Sequence, residues 1–385
     1  MMTTKIYDVA VVGAGVFGAW TALELARRGK SVLLLEAYGP GHSRSSSGDE
    51  SRIIRMGYGA EEIYTRWSQK SLVRWKELFA ATGNESLFQN TGVLWMAAAG
   101  DPTLRATREV LTRCGIKFQG FDREALSNKY PQIGLENVAE GIFEPESGVL
   151  MARRAVAAVV AEAMRIGVEF RAAAIREPQG AGNLREITST GGETFAAKEF
   201  VFACGAWLKK LFPNILGPRI FATRQAVFYM SIPGGDEHFG PKALPTWLIQ
   251  NDECYGMPDL ESRGLKVALD RHGEPVDPDT QSRLVTDAEI AEMRDYVARR
   301  FPALKDAPIA ETRVCQYENT SNGDFLIDRH PELSNVWFAG GGSGHGFKHG
   351  PAVGEYVAGQ LVDGAAAEPR FSLASKKTLQ KRTVY

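Results

Sequence analysis

The sequence predicts an α/β fold in two domains. Three observations carry that expectation: a length of 385 residues, strand–helix alternation at both ends of the chain, and a middle dominated by short strand-like runs. At roughly one domain per 150 residues, the length exceeds one core. A two-strand opening unit cannot complete a sheet alone, so the two α/β ends are expected to share one. The expected division is 1–85, 145–220 and 312–385 for the first, discontinuous domain, and 86–144 and 221–311 for a second, largely antiparallel one.

Residues 6–12 form an apolar run broken only by Asp8, as in a strand buried on both faces. A glycine-rich turn leads to a helix over 19–28, rich in Ala and Leu, and then to a second strand over 31–36. Strand, turn, helix and strand within about 30 residues make a βαβ unit. Residues 38–52, with the run HSRSSSGDESR, lack apolar anchors and read as an ordered loop over a ligand or as disorder. A helix is expected over 61–82, where Ile63, Trp67, Leu72, Trp75 and Phe79 recur at helical steps before Gly83. A further helix over 151–166 ends at Gly167 and precedes a strand over 168–173. Thr190-Gly191-Gly192 marks a hairpin, followed by a strand over 200–203. The β-rich middle includes runs at 226–231 and 266–269. Thr286 and Glu289 form a capping box for a helix reaching Arg300. A strand over 335–339, a glycine loop and a helix over 352–362 follow, and 376–382 reads as a solvated basic terminus.

Forty-five Lys and Arg against 46 Asp and Glu leave a net charge of −1, unlike the basic stripe of a nucleic-acid binder. No apolar run approaches the ~18 residues of a membrane span. The first residues lead directly into a strand, leaving no room for a signal peptide. Cys114, Cys204, Cys254 and Cys315 are scattered without a C-x-x-C pair, so neither a metal site nor a disulfide framework is expected. A cytoplasmic location fits that usage.

Gly13-Ala-Gly15-Val16-Phe17-Gly18 is a G-x-G-x-x-G between strand and helix, and Glu36 follows 23 residues after Gly13 at the end of the next strand. The first glycine permits the turn, the second lets a pyrophosphate approach the backbone, and the third lets helix and strand pack closely. The helix N-terminus offers partial positive charge to the phosphates, and the acid can accept from a ribose. A Rossmann-type dinucleotide site is the reading. The departure into a serine-rich loop after Glu36, and a second glycine cluster at Gly340-Gly341-Gly342-Ser343-Gly344, fit the longer cofactor FAD better than NAD.

Gly48-Asp49-Glu50-Ser51-Arg52-Ile53-Ile54-Arg55 resembles the segment over the flavin in the monomeric sarcosine oxidase family. The likeness continues at 144–150, 264–266, Cys315-Gln316-Tyr317 and Ser343-Gly344-His345-Gly346-Phe347-Lys348, in the family's order. The resemblance implies a two-domain FAD oxidase, a monomer acting on a small amine and O2, with FAD joined covalently to Cys315 while the other cysteines are buried and inert. It places Ser47, Gly48, Gly342, Gly344 and Phe347 at the cofactor, with Lys348 also near it. Lys266, a lysine in an apolar strand, is implied to be the cation that speeds reaction with oxygen, because a fixed positive charge stabilises the anion that forms. Arg52 is implied to lie over the flavin ring, and Arg55 and Lys348 to bind the substrate carboxylate. Tyr255 and Tyr317 are implied to be walls of the pocket, and His345 a polar wall, a catalytic neighbour of the flavin or a structural histidine.

Two departures from the family pattern stand out. The loop before Arg52 has one more residue, with serines for histidines, and Asp270 replaces a histidine bordering the substrate. An acid at that place is shared with fructosyl amino acid oxidases. The expected activity is oxidation of N-substituted amino acids such as sarcosine to an imine that hydrolyses, with O2 reduced to H2O2. The alternatives are a fructosyl amino acid oxidase, or an amine dehydrogenase passing electrons to another acceptor. The substrate nitrogen must be neutral, and a cation-rich pocket is expected to disfavour its ammonium form without a general base.

Overall fold

The computed structural model describes residues 5–234 and 236–379. One sheet gathers seven strands from both ends of the chain. Its order is Leu326–Arg329, Val336–Gly340, Thr194–Phe202, Ile6–Val12, Val32–Glu36 and Glu169–Ala172, with Glu186–Thr188 paired to Thr194–Phe202. The five strands from Val336–Gly340 to Glu169–Ala172 run parallel. The apolar run of the first strand follows from double burial: Val9 and Val11 enter one core, Ala10 and Val12 the other. On one face pack the helices Val16–Arg27, Ala152–Arg165 and Gly350–Asp363. The first helix begins three residues earlier than expected, because Gly15 is already its N-cap and the third glycine of the fingerprint lies inside it.

The second sheet has eight strands, all antiparallel to their neighbours except Thr246–Ile249 beside Val93–Ala97. The run expected at 226–231 is the end of a longer strand, Ile220–Met230, paired along its length with Ile309–Thr320. That partner has no apolar run to announce it, since Glu311, Arg313, Gln316, Glu318 and Asn319 interrupt it. It also crosses the expected division at 311/312, pairing wholly within the second sheet. Its far half turns back toward the first sheet's glycine loop, where the Ser343 amide donates to the Glu318 carbonyl (2.8 Å). A third, small sheet joins Arg52–Ile54 and Phe88–Gln89 to Gly148–Leu150.

The serine-rich loop is ordered: Ser47, Asp49, Glu50 and Ser51 are buried. The basic terminus departs from expectation at Lys376, which is buried and donates to Asn322 Oδ1 (3.1 Å) and the Arg370 carbonyl (2.7 Å). Residues 380–382 of that terminus, like residues 1–4, lie outside the described residues.

Candidate active site

A cavity of about 400 Å³ opens where the first strand turns into its helix. Gly13 adopts φ +103°, and a Cβ there would sit 2.4 Å from the Ala203 carbonyl oxygen; a Cβ on Gly18 would sit 1.8 Å from that of Gly13. Both glycines are therefore demanded by the turn itself, which brings strand and helix together. Gly15, Val16 and Phe17 line the cavity, so the N-terminus of the helix, capped by Gly15 without a side chain, borders it. Ser47 Oγ accepts from the Val16 amide (3.1 Å), tying the serine loop to the helix start. Glu36 lines the same cavity while its oxygens accept from the amides of Ala14 (2.7 Å) and Tyr38 (3.1 Å). Gly342, Gly344 and Phe347 also line it. Gly48 is set back: a Cβ there would strike the His42 carbonyl, so it shapes the loop. A cavity bordered by a helix N-terminus at a glycine turn and by an acid at the strand tip fits a dinucleotide.

Cys204 was expected buried and inert, yet it lines this cavity; burial pushes its thiol well up, which keeps it protonated. Glu318 also lines the cavity, and burial raises its carboxyl to about 7.

Arg52 sits at the wall shared with a second cavity. Its guanidinium donates to Asp49, to the carbonyls of Ser51 (3.0 Å) and Ser46 (2.9 Å), and to Cys315 Sγ (3.1 Å). Cys315 is thus held beside Arg52, with Sγ 3.8 Å from the Ser46 carbonyl. Lys266 is 1% exposed and donates to Asp49 Oδ2 (2.6 Å), to the Ser51 carbonyl (2.9 Å) and to Ser51 Oγ (3.2 Å). The sequence reading treated Lys266 as a cation by itself; the structure makes it one of a triad with Asp49 and Arg52. Burial pushes the Asp49 carboxyl up, but the charges of Lys266 and Arg52 outweigh it and hold Asp49 well below the usual carboxylate range. Burial also lowers the Lys266 ammonium, against the pull of Asp49.

The second cavity, of about 70 Å³, shares Arg52, Tyr317, Gly344 and Phe347 with the first. Arg55, Lys348, Tyr255, Asp270 and His345 line it, so residues distant in sequence converge there. The Arg55 guanidinium donates to the Gly57 carbonyl and lies over the rings of Tyr58 (4.3 Å) and Trp95 (4.5 Å). Lys348 Nζ donates to Tyr58 Oη (2.8 Å) and the His345 carbonyl (2.9 Å). Asp270 accepts from Tyr317 Oη (2.9 Å), which places its charge against the aromatic wall. His345 Nε2 donates to the Gly323 carbonyl (3.0 Å), and burial keeps the ring well below its usual pKa. Its ring therefore forms a neutral wall of the cavity rather than a proton carrier.

Sequence reasoning missed Asp49, Tyr58, His272, Glu318 and His349. His272 also lines the small cavity. Asp49 lies inside one recognised segment and His349 directly follows another, but nothing local in the sequence signals their contacts with Lys266 and Tyr58.

Residues 8–360 match the family described as FAD dependent oxidoreductase. The chain is 31% identical to a monomeric sarcosine oxidase from Streptomyces avermitilis, over 94% of this chain and 95% of that protein. It is also 31% identical to the human peroxisomal sarcosine oxidase, over 91% of each. Among solved structures, the fold is shared with L-proline dehydrogenase from P. horikoshii (TM-score 0.82, 21% identity, 96% and 98% of the two chains). It is shared also with the fructosyl amine oxidoreductase Amadoriase I from Aspergillus fumigatus (TM-score 0.79, 20% identity, 97% and 90%). The full-length match, together with a dinucleotide cavity that opens onto a small cationic one, means that the chain belongs to the FAD dependent oxidoreductases, within the group of the sarcosine oxidases.

Proposed function

We propose that the protein oxidises small N-substituted amino acids such as sarcosine at the C–N bond, giving an imine that hydrolyses, with O2 reduced to H2O2. The observation that carries this reading is the small cavity itself: two buried basic side chains, Arg55 and Lys348, line a space that shares a wall with the dinucleotide cavity. Two cations from separate segments suit one carboxylate. FAD, when bound, supplies the two-electron acceptor for the C–H bond next to nitrogen. Gly15, Val16, Ser47 and Glu36 would hold its dinucleotide part, and Arg52, Gly344 and Phe347 would border its reacting end. Cys315, beside Arg52, is the residue for the covalent bond, and the Lys266–Arg52–Asp49 triad supplies net positive charge where oxygen is reduced.

At about 70 Å³ the cavity is far smaller than the roughly 300–1,000 Å³ of drug-sized ligand sites. That favours an amino acid with a short N-substituent over a fructosyl amino acid, whose support is Asp270 alone. The same reading makes the protein a cytoplasmic monomer with no membrane or nucleic-acid partner; no helix among the described residues is long and apolar enough to cross a membrane. It also takes the first sheet with its helices as the cofactor domain, the strand Ile309–Thr320 then counting with the substrate domain.

The test is a substrate panel read by peroxide release: sarcosine, N-methyl amino acids, proline, pipecolate and fructosyl amino acids. Peroxide with the small secondary amines is expected. Cofactor reduction without oxygen uptake would make the protein a dehydrogenase, and peroxide with fructosyl amino acids alone would make it a deglycating oxidase.

A further inference from the structure

A secondary amino acid reaches the site as a zwitterion, and its ammonium proton occupies the lone pair that oxidation requires. Something must take that proton. In the small cavity, Lys348 Nζ already donates to Tyr58 Oη (2.8 Å) and the His345 carbonyl (2.9 Å). Tyr58 Oη lies 2.8 Å from Nε2 of His349, which is fully buried. With the tyrosine hydrogen donated to His349, the tyrosine oxygen is left to accept from Lys348. Two N–H bonds of the lysine are then spent inside the protein. A neutral amine has two N–H bonds and a lone pair, so a neutral Lys348 can meet both partners and keep its lone pair for the cavity.

The surroundings disfavour a second cation. Arg55 lies over the same Tyr58 ring (4.3 Å) that Lys348 Nζ faces (5.3 Å). Two carboxylates act on Lys348 from a distance. Glu144 is committed to the amides of Met56 (2.6 Å) and Gly57 (2.9 Å), to Trp95 Nε1 (2.8 Å) and to Ser147 Oγ (2.6 Å). Asp270 accepts from Tyr317 Oη. Among the described residues no carboxylate pairs with Nζ at ion-pair distance. His345 and His349, on the lysine's own turn, are pushed toward the neutral form by burial. Burial first, and then Arg55, push the Lys348 ammonium well below its ordinary range, outweighing Asp270 and Glu144.

We propose that Lys348 is the proton acceptor of the site: neutral before substrate arrives, it takes the proton from the substrate's ammonium nitrogen and then, as an ammonium, binds the carboxylate beside Arg55. One N–H bond breaks on the substrate and one forms at Nζ. No electrons move, net charge is unchanged, and the substrate is left as an anion with a free nitrogen lone pair. His349 is a positioning residue, acting through Tyr58. This replaces the sequence-based expectation that no general base is needed, and it rests on the functional reading above in taking a zwitterionic amino acid as the substrate.

The experiment is calorimetry on the holoenzyme near pH 8, in two buffers of different ionisation enthalpy, with two ligands that cannot be oxidised. Propionate has no amine and should bind with uptake of about one proton from buffer. 2-Aminoisobutyrate has no C–H bond next to nitrogen, brings its own proton, and should bind with none. Lys348→Arg cannot lose its charge, so propionate should bind to it without uptake. Its kcat/KM for sarcosine should reach half-maximum at least one pH unit higher, because only substrate already neutral at nitrogen is then used. His349→Phe should lower the proton count, and His349→Gln, which keeps an acceptor for Tyr58, should restore it. Propionate binding to the unaltered protein without proton uptake overturns the inference, as does an unchanged count in Lys348→Arg; an unchanged count in His349→Phe removes His349 from it. A holoenzyme that binds neither ligand and is reduced by no secondary amino acid overturns the functional reading as well.

Discussion

Replacing Lys266 by methionine isolates what its charge does. Methionine keeps most of the stem but removes the donor to Asp49 (2.6 Å) and to the Ser51 carbonyl and hydroxyl (2.9 and 3.2 Å). Asp49 is not stranded, because Arg52 still pairs with it, so the fold should survive. The charge of the Lys266–Arg52–Asp49 triad falls from +1 to zero. A unit charge acting over about 5 Å through an effective dielectric of about 20 is worth ~3 kcal/mol on the negative charge that develops on oxygen. That is roughly a hundred- to several-hundred-fold in rate. Stopped-flow separates the two half-reactions: anaerobic reduction by sarcosine, and reoxidation on mixing with O2. Reoxidation should fall by that factor and reduction by less than tenfold. Equal losses would refute the charge argument and make Lys266 structural. Asp49→Asn is the complementary perturbation. It leaves the buried Lys266 without its carboxylate, at a cost of about 3–5 kcal/mol of stability. Lys266, lowered by burial and no longer countered by Asp49, then gives up its proton more readily. Reoxidation in Asp49→Asn should therefore be fast at low pH and decline as pH rises through the new value. A flat profile would show that the lysine charge is not what oxygen senses.

Acid-precipitated protein should stay yellow and Cys315→Ala should release its chromophore to the supernatant; a colourless precipitate of the unaltered protein would end the covalent assignment. Arg55→Met should weaken binding of every amino-acid ligand about ten- to a hundredfold, the worth of a charge-assisted bond of about 1.5–3 kcal/mol, as measured by ligand titration of the cofactor spectrum. Asp270→His should shift the order of kcat/KM toward small N-methyl substrates, and an unchanged order would place Asp270 outside substrate reach. Glu318, raised by burial to about 7, binds its proton more tightly folded than unfolded, so its contribution is present below the usual carboxyl range and lost as pH rises through 7. Glu318→Gln should accordingly raise the stability of cofactor-free protein near pH 8 by roughly 3 kcal/mol and leave it unchanged near pH 4.5, read by thermal or denaturant unfolding.

The dinucleotide fingerprint was legible in the sequence, because most of what it needs is local. Gly13, Gly15, Gly18 and Glu36 stand within one βαβ unit, and Gly18 packs on the Gly13 carbonyl while Glu36 accepts from the Ala14 amide; the close approach of Gly13 to Ala203 and the bond from the Val16 amide to Ser47 came only with the fold. Burial of Lys266 was legible too, since an apolar strand surrounds it. Its partner was not: Asp49 comes from a loop 217 residues away, and only the packing of that loop against the second sheet sets the two side by side. The strand Ile309–Thr320 escaped notice because it carries polar residues that bond across the sheet and into the cofactor cavity, so it has no apolar signature. Only the tertiary structure decided the protonation chemistry. Lys348 reads as one more cation until the fold packs it against Arg55, Tyr58 and His349. The balance between burial and neighbouring charge then sets its state, and burial is a property of the folded chain rather than of any segment of it.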